Sequence, residues 1–127
     1  MSAYDERWES LETHRTPQWF RDAKFGVYFH WGPYSVPAFN TEWYPRKMYQ
    51  EGTEEYEHHR ETYGDPSEVG YRSFVPEFGG ERFDPDAWVD TCAEAGAEYV
   101  GVTAIHHDGF AMWDSDITSW NAAERGP

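Results

Sequence analysis

The stretch Tyr99-Val100-Gly101-Val102-Thr103-Ala104-Ile105-His106-His107-Asp108-Gly109-Phe110 decides the fold. A short apolar run rich in β-branched residues, ending abruptly in two histidines, an aspartate and a glycine, reads as a buried strand. Such a strand delivers polar side chains to its own C-terminal end, where open α/β sheets and β/α barrels meet their ligands. Adjacent strand residues point to opposite faces, so His106 and His107 reach one site together only if the chain has already turned into loop there. Gly109 offers that turn.

The same pattern occurs upstream. Phe25-Gly26-Val27-Tyr28-Phe29 is a second apolar run, and it ends at His30 with Gly32 close behind. Ahead of the opening strand, Asp84-Pro85-Asp86 is a strong helix start: an N-cap, a proline in the first helical position and an acid at the positive end of the dipole. Trp88, Cys92 and Ala95 then share one helical face, and Gly96 supplies a left-handed exit. Strand, excursion, helix, turn and strand make a β/α/β unit, which implies parallel strands and a right-handed crossover. On this reading His30 and the pair His106, His107 occupy equivalent positions on neighbouring strands and converge on one patch. A single histidine is more often structural than functional; three at matched strand ends reverse that preference.

Between His30 and the next helix lie about fifty residues, far more than a strand-to-helix connection needs. An ordered excursion of this length normally has a task. Pro33 to Phe39 form an aromatic, proline-stiffened loop, Glu42-Trp43-Tyr44 follow, and Glu51 to Tyr63 are helical until Gly64-Asp65-Pro66. His58 and His59 on that acidic helix are expected at a solvated surface. Residues 1 to 17 are expected to hold a short helix that stops before Pro17. Beyond Trp113 a loop is expected, with no further helix to cover the second strand. Two parallel strands need cover on both faces.

The 127 residues suffice for one domain but are only about half of the ~250 that a β/α barrel uses. Seven Trp and nine Tyr argue for a folded chain with flat side chains available for packing or ligand contact. The net charge of −14, from 24 acidic against 10 basic residues, disfavours nucleic acid and anionic membranes and favours neutral ligands. Only Lys24 and Lys47 are lysines, and such an acid excess also suits a halophilic setting in which salt shortens self-repulsion. Cys92 is the single cysteine, so no intrachain disulfide forms, and a small buried apolar role is expected for it. The start Met1-Ser2-Ala3-Tyr4-Asp5-Glu6 is not a secretory signal, which points to a cytoplasmic protein.

His30, His106 and His107 with Asp108 include suitable metal-ligand types, but neither a metalloprotease spacing nor a structural zinc pattern is present, so no metal is assigned. Glu42 beside Trp43 suggests sugar chemistry: a carboxylate accepts hydroxyl protons, an indole offers a flat face to a pyranose, and neutral imidazoles both donate and accept. The competing reading is that Trp43 and Tyr44 pin the loop to the core.

The segments Trp19 to Trp31, Gly32 to Ala38, Glu42-Trp43-Tyr44, Phe83 to Asp86 and His106 to Phe110 with Trp113-Asp114-Ser115 closely resemble the N-terminal part of the α-L-fucosidases of glycoside hydrolase family twenty-nine. The resemblance runs from Trp19 onward in the same order. It implies an α/β fold, the N-terminal portion of a TIM-type barrel that is incomplete in this chain, with residues 1–127 forming part of one catalytic domain. It further implies retaining hydrolysis of α-L-fucosides without metal or organic cofactor. His30, Glu42, Trp43, His106 and His107 match positions that line the fucose pocket. The nucleophilic aspartate and the usual acid/base glutamate of that family are expected beyond Pro127. No catalytic residue is therefore assigned here, with Glu42 an assistant at most. The implied partner is a fucosylated glycan or a small α-L-fucoside, together with the missing half of the barrel or a second copy. The alternatives are a non-catalytic fucose-binding module or scaffold, and one half of a two-chain enzyme.

Overall fold

A computed structural model describes residues 4–126; Met1, Ser2, Ala3 and Pro127, at the ends of the regions read above, lie outside the described residues. In chain order the elements are α1 (Trp8–Leu11), α2 (Gln18–Asp22), β1 (Gly26–Phe29), α3 (Tyr44–Lys47), α4 (Glu54–Thr62), α5 (Pro85–Glu94), β2 (Tyr99–Val102) and α6 (Ala122–Arg125), with 3-10 turns at Pro33–Ser35 and Tyr71–Glu77.

The expected β/α/β unit is present. β1 and β2 pair in parallel, Gly26 opposite Tyr99 and Phe29 opposite Val102. α5 begins as its sequence dictates: the Asp84 carboxylate accepts from the Ala87 N–H at 3.0 Å, and Pro85 takes the first helical position. Such a cap stabilises a helix by about 1 kcal/mol. Cys92 is buried on this helix, and Gly96 leaves it at φ +88°.

The second strand is shorter than its apolar run suggests, because its last ladder bond runs from Thr103 N–H to the Phe29 carbonyl at 3.1 Å. The backbone then folds back, with Met112 N–H donating to the Ala104 carbonyl at 2.8 Å and Gly109, at φ +68°, donating to the His106 carbonyl at 3.0 Å. The register therefore continues with His30 beside Thr103, which corrects the expectation of equivalent positions for His30 and the histidine pair. His106 and His107 lie on a turn beyond the strand.

The core is carried by the long excursion. Tyr34, Tyr44, Met48, Tyr71 and Phe74 form its buried centre, with Val36, Phe39 and Tyr63 packed against it. α4 is capped by the Thr53 hydroxyl, which accepts from Tyr56 N–H at 3.2 Å. It turns His59 inward, contrary to the expected solvated position, and His59 is 0% exposed. A carbonyl can only accept, so His59 Nε2 donates to the Val69 carbonyl at 2.7 Å, and in the neutral ring Nδ1 accepts from the Tyr44 hydroxyl at 3.0 Å. His58 is half-buried and stacks on Phe39, ring centroids 3.9 Å apart. Tertiary packing thus overrides the acidic surface pattern on this face of α4.

At the chain ends, α1 stops well before Pro17, and α2 starts directly after it. The segment after Trp113 does contain a short helix, α6, capped by the buried Asn121. A single turn leaves β2 uncovered: Val102 is 68% exposed, and a hollow of about 440 Å³ lined by Phe29, Trp88, Val100, Val102 and Trp113 opens beside it. No helix of the described residues is long and apolar enough to cross a membrane.

Candidate functional site

Three chain segments deliver the site. His30 leaves β1 exposed, Glu42 sits half-buried in the turn Thr41–Tyr44, and His106 sits half-buried on the turn after β2. One ligand atom from each lies within 4.8 Å of the others. The rings of His30 and His106 meet edge to face at 5.2 Å, and His106 meets His107 in the same way at 4.5 Å. Trp43 lies 3.8 Å from His107, centroid to centroid, tilted by 34°. All five residues singled out by sequence are therefore neighbours, and the excursion supplies Glu42 and Trp43 to the strand-end histidines.

The turn holding His106 and His107 is anchored by Asp108, which the sequence offered only as a metal-ligand type, together with Tyr71 and Trp120. Asp108 accepts from the Tyr71 hydroxyl at 2.7 Å and from Phe110 N–H at 3.0 Å, while its carbonyl accepts from the Trp120 indole N–H at 3.1 Å. Burial, and then the Asp108 charge, push the Tyr71 hydroxyl well above the usual phenol range, so it remains a donor. Tyr34 packs beneath His106 at 5.5 Å, and burial pushes its hydroxyl up to about 12. The adjacency of Asp108 to the histidine pair was the one local signal of this anchoring. Tyr71 and Trp120 are brought in by tertiary folding alone.

Burial lowers the His106 pKa, and the neighbouring His107 and His30 act in the same direction; Glu42 and Asp108 oppose them. His106 is accordingly neutral near pH 7, and each of its nitrogens donates or accepts according to the tautomer. Its Nδ1 is buried without a partner, which leaves Nε2 as its available hydrogen-bonding atom.

The ligand types and spacing of His30, Glu42 and His106 fall within reach of a metal ion, with Glu42 in the place given to Asp108 in the sequence reading. Metal-binding imidazoles almost always donate their second N–H to an acceptor. Neither His30 nor His106 has such a hydrogen bond among the described residues. A hollow of about 340 Å³ adjoins the cluster, lined by His30, Tyr34, Asn40, Thr41 and Glu42 among others. Its size lies at the small-ligand end of ordinary binding pockets.

Parallel strands with imidazoles, a carboxylate and an indole gathered beyond their C-terminal ends define an α/β protein with a candidate site at the strand ends. A family model for α-L-fucosidase matches residues 1–127. Human tissue α-L-fucosidase is 40% identical over 126 residues, covering 98% of this chain and 27% of that protein. The crystal structure of Thermotoga maritima α-fucosidase in complex with fucose superposes with a TM-score of 0.88 at 40% identity, over 98% of this chain and 32% of that one. An α-L-fucosidase from Lactobacillus casei in complex with α-L-fucose product gives 0.65 at 27% identity, over 86% of this chain and 32% of that one. The chain belongs to the α-L-fucosidase family. It spans about a quarter of the length of the curated relatives it matches, 27% for the human tissue enzyme.

Proposed function

We propose that this chain forms the sugar-holding part of an α-L-fucoside hydrolase, the first portion of a TIM-type barrel. The observation that carries this reading is the gathering of His30, Glu42 and His106 within 4.8 Å beside the Trp43 and His107 rings. The neutral His106 ring donates to or accepts from a sugar hydroxyl through Nε2, Glu42 accepts a hydrogen bond from a hydroxyl, and the exposed indole face packs on the apolar side of the ring. The related structures in complex with fucose and with α-L-fucose product support L-fucose as the sugar.

Retaining hydrolysis needs two carboxyl groups about 5 Å apart. Glu42 is the carboxylate of the cluster, and the Asp108 carboxylate is engaged by Tyr71 and Phe110. We assign the nucleophile to a part of the protein beyond these residues. Within this chain, binding and orientation are the contribution, with Glu42 placed to assist proton transfer. The test is hydrolysis of a chromogenic α-L-fucoside by the intact protein, with the first-formed anomer followed by NMR. Release of α-L-fucose before mutarotation supports the reading. Release of the β-anomer contradicts retention, and fucose binding without turnover reassigns the site to a non-catalytic fucose-binding module.

A further inference from the structure

Glu42 has no hydrogen-bond partner of its own among the described residues, so its place is set by the backbone that carries it. That backbone is held from both sides by one buried carboxylate. Asn40, just before Glu42, donates from Nδ2 to Glu55 Oε1 at 3.3 Å and to Glu54 Oε2 at 3.1 Å. Lys47, at the end of α3, places Nζ 2.9 Å from the same Glu55 oxygen. Glu55 is 2% exposed. Burial opposes its charge, but the bonds from Lys47, from its own backbone N–H and from Asn40 outweigh burial and hold its carboxyl below the usual range.

The backbone at this point is unusual. Ala38 and Asn40 both have positive φ, +46° and +55°, a region that is costly for Ala38 and better tolerated by Asn40. Strained positions persist where the surroundings over-determine them, and they concentrate at functional sites. Here the over-determination is visible: the Asn40 amide is tethered to α4, and Trp43 N–H bonds the Thr41 hydroxyl at 3.3 Å to close the turn around Glu42.

We infer that Asn40, Lys47 and Glu55 are positioning residues that fix the Glu42 carboxylate against His30 and His106. This rests on the reading of Glu42 as a hydroxyl-binding group. The tether passes from the buried Glu55 to the loop on one side and to α3 on the other, so loss of either link lets the turn swing while the core beneath it stays packed.

A double-mutant cycle on the intact protein, read as L-fucose affinity by calorimetry, tests this. Asn40→Gly tolerates the positive φ, removes the amide tether and loosens the backbone it held; it weakens L-fucose binding about tenfold, since small displacements of binding groups are costly. Glu42→Gln weakens binding by itself. In the Glu42→Gln background, Asn40→Gly then causes no further loss, because it acts through Glu42. Losses that multiply overturn the positioning role and leave the site reading intact. An unchanged affinity in Glu42→Gln overturns the reading of Glu42 and the inference together. Circular dichroism of each variant confirms that the comparison is made between folded proteins.

Discussion

The indole of Trp43 and the imidazole of His107 lie 3.8 Å apart, although one belongs to the excursion after β1 and the other to the turn after β2. Their contact joins the two parts of the candidate site, and Trp43 keeps 37% of its surface exposed. Trp43→Ala removes both the sugar-facing plane and the support for His107. L-fucose affinity is expected to fall about 10- to 100-fold, which is about 1.4–2.7 kcal/mol, with Trp43→Phe losing less. Calorimetric titration of the two variants checks the order; equal affinities for both would show that the ring face is not used.

His106 supplies the pH dependence. Its pKa lies below the ordinary value of 6.5, chiefly through burial, so the ring is neutral at and above neutrality. A histidine with a lowered folded pKa contributes full stability above its unfolded pKa, and that contribution is lost as pH falls through the folded pKa. The His106 contribution to L-fucose affinity and to folding stability is therefore flat above pH 6.5 and declines below it. Affinity that rises on acidification would assign the charged imidazole to the sugar.

His59 gives the stability prediction. Its two nitrogens satisfy the Tyr44 hydroxyl and the Val69 carbonyl inside the core. His59→Ala leaves both unpaired beside a cavity and is expected to cost about 3 kcal/mol in urea unfolding. His58→Ala, at a half-buried position stacked on Phe39, costs less.

These two histidines also mark how far the sequence could be read. The strands, the Asp84-capped helix and its Gly96 exit were legible because capping chemistry and periodicity are local. The same holds for the turn at Gly109. His59 was not, since the residues around it are acidic and its partners, Tyr44 and Val69, come from segments that only folding brings together. The end of β2 was misplaced for a similar reason: Thr103, Ala104 and Ile105 continue the apolar run, but the backbone bond from Met112 to Ala104 pulls them out of the ladder. Glu42 and Trp43 suggested sugar chemistry by their residue types, but only the resemblance placed them with the histidines, since no spacing rule joins them to His106.

The open face of β2 predicts the behaviour of these 127 residues as an isolated polypeptide. Tyr28, Val100, Val102 and Ile105 are 60%, 41%, 68% and 49% exposed around an unpaired strand edge. Such surface promotes association, so the isolated polypeptide is expected to self-associate and bind hydrophobic dyes. A sharp, cooperative thermal transition in a dye-free monomer would contradict this.

The central claim, that His30, Glu42 and His106 hold a sugar by its hydroxyls, meets its most direct test in calorimetric titration of the intact protein with L-fucose and with its mirror image, D-fucose. The account predicts saturable binding of L-fucose, at least tenfold weaker binding of D-fucose because donors and acceptors fixed on three segments match one enantiomer, and loss of that preference in His30→Ala. Equal affinity for the two sugars, or a preference unchanged in folded His30→Ala, would contradict it.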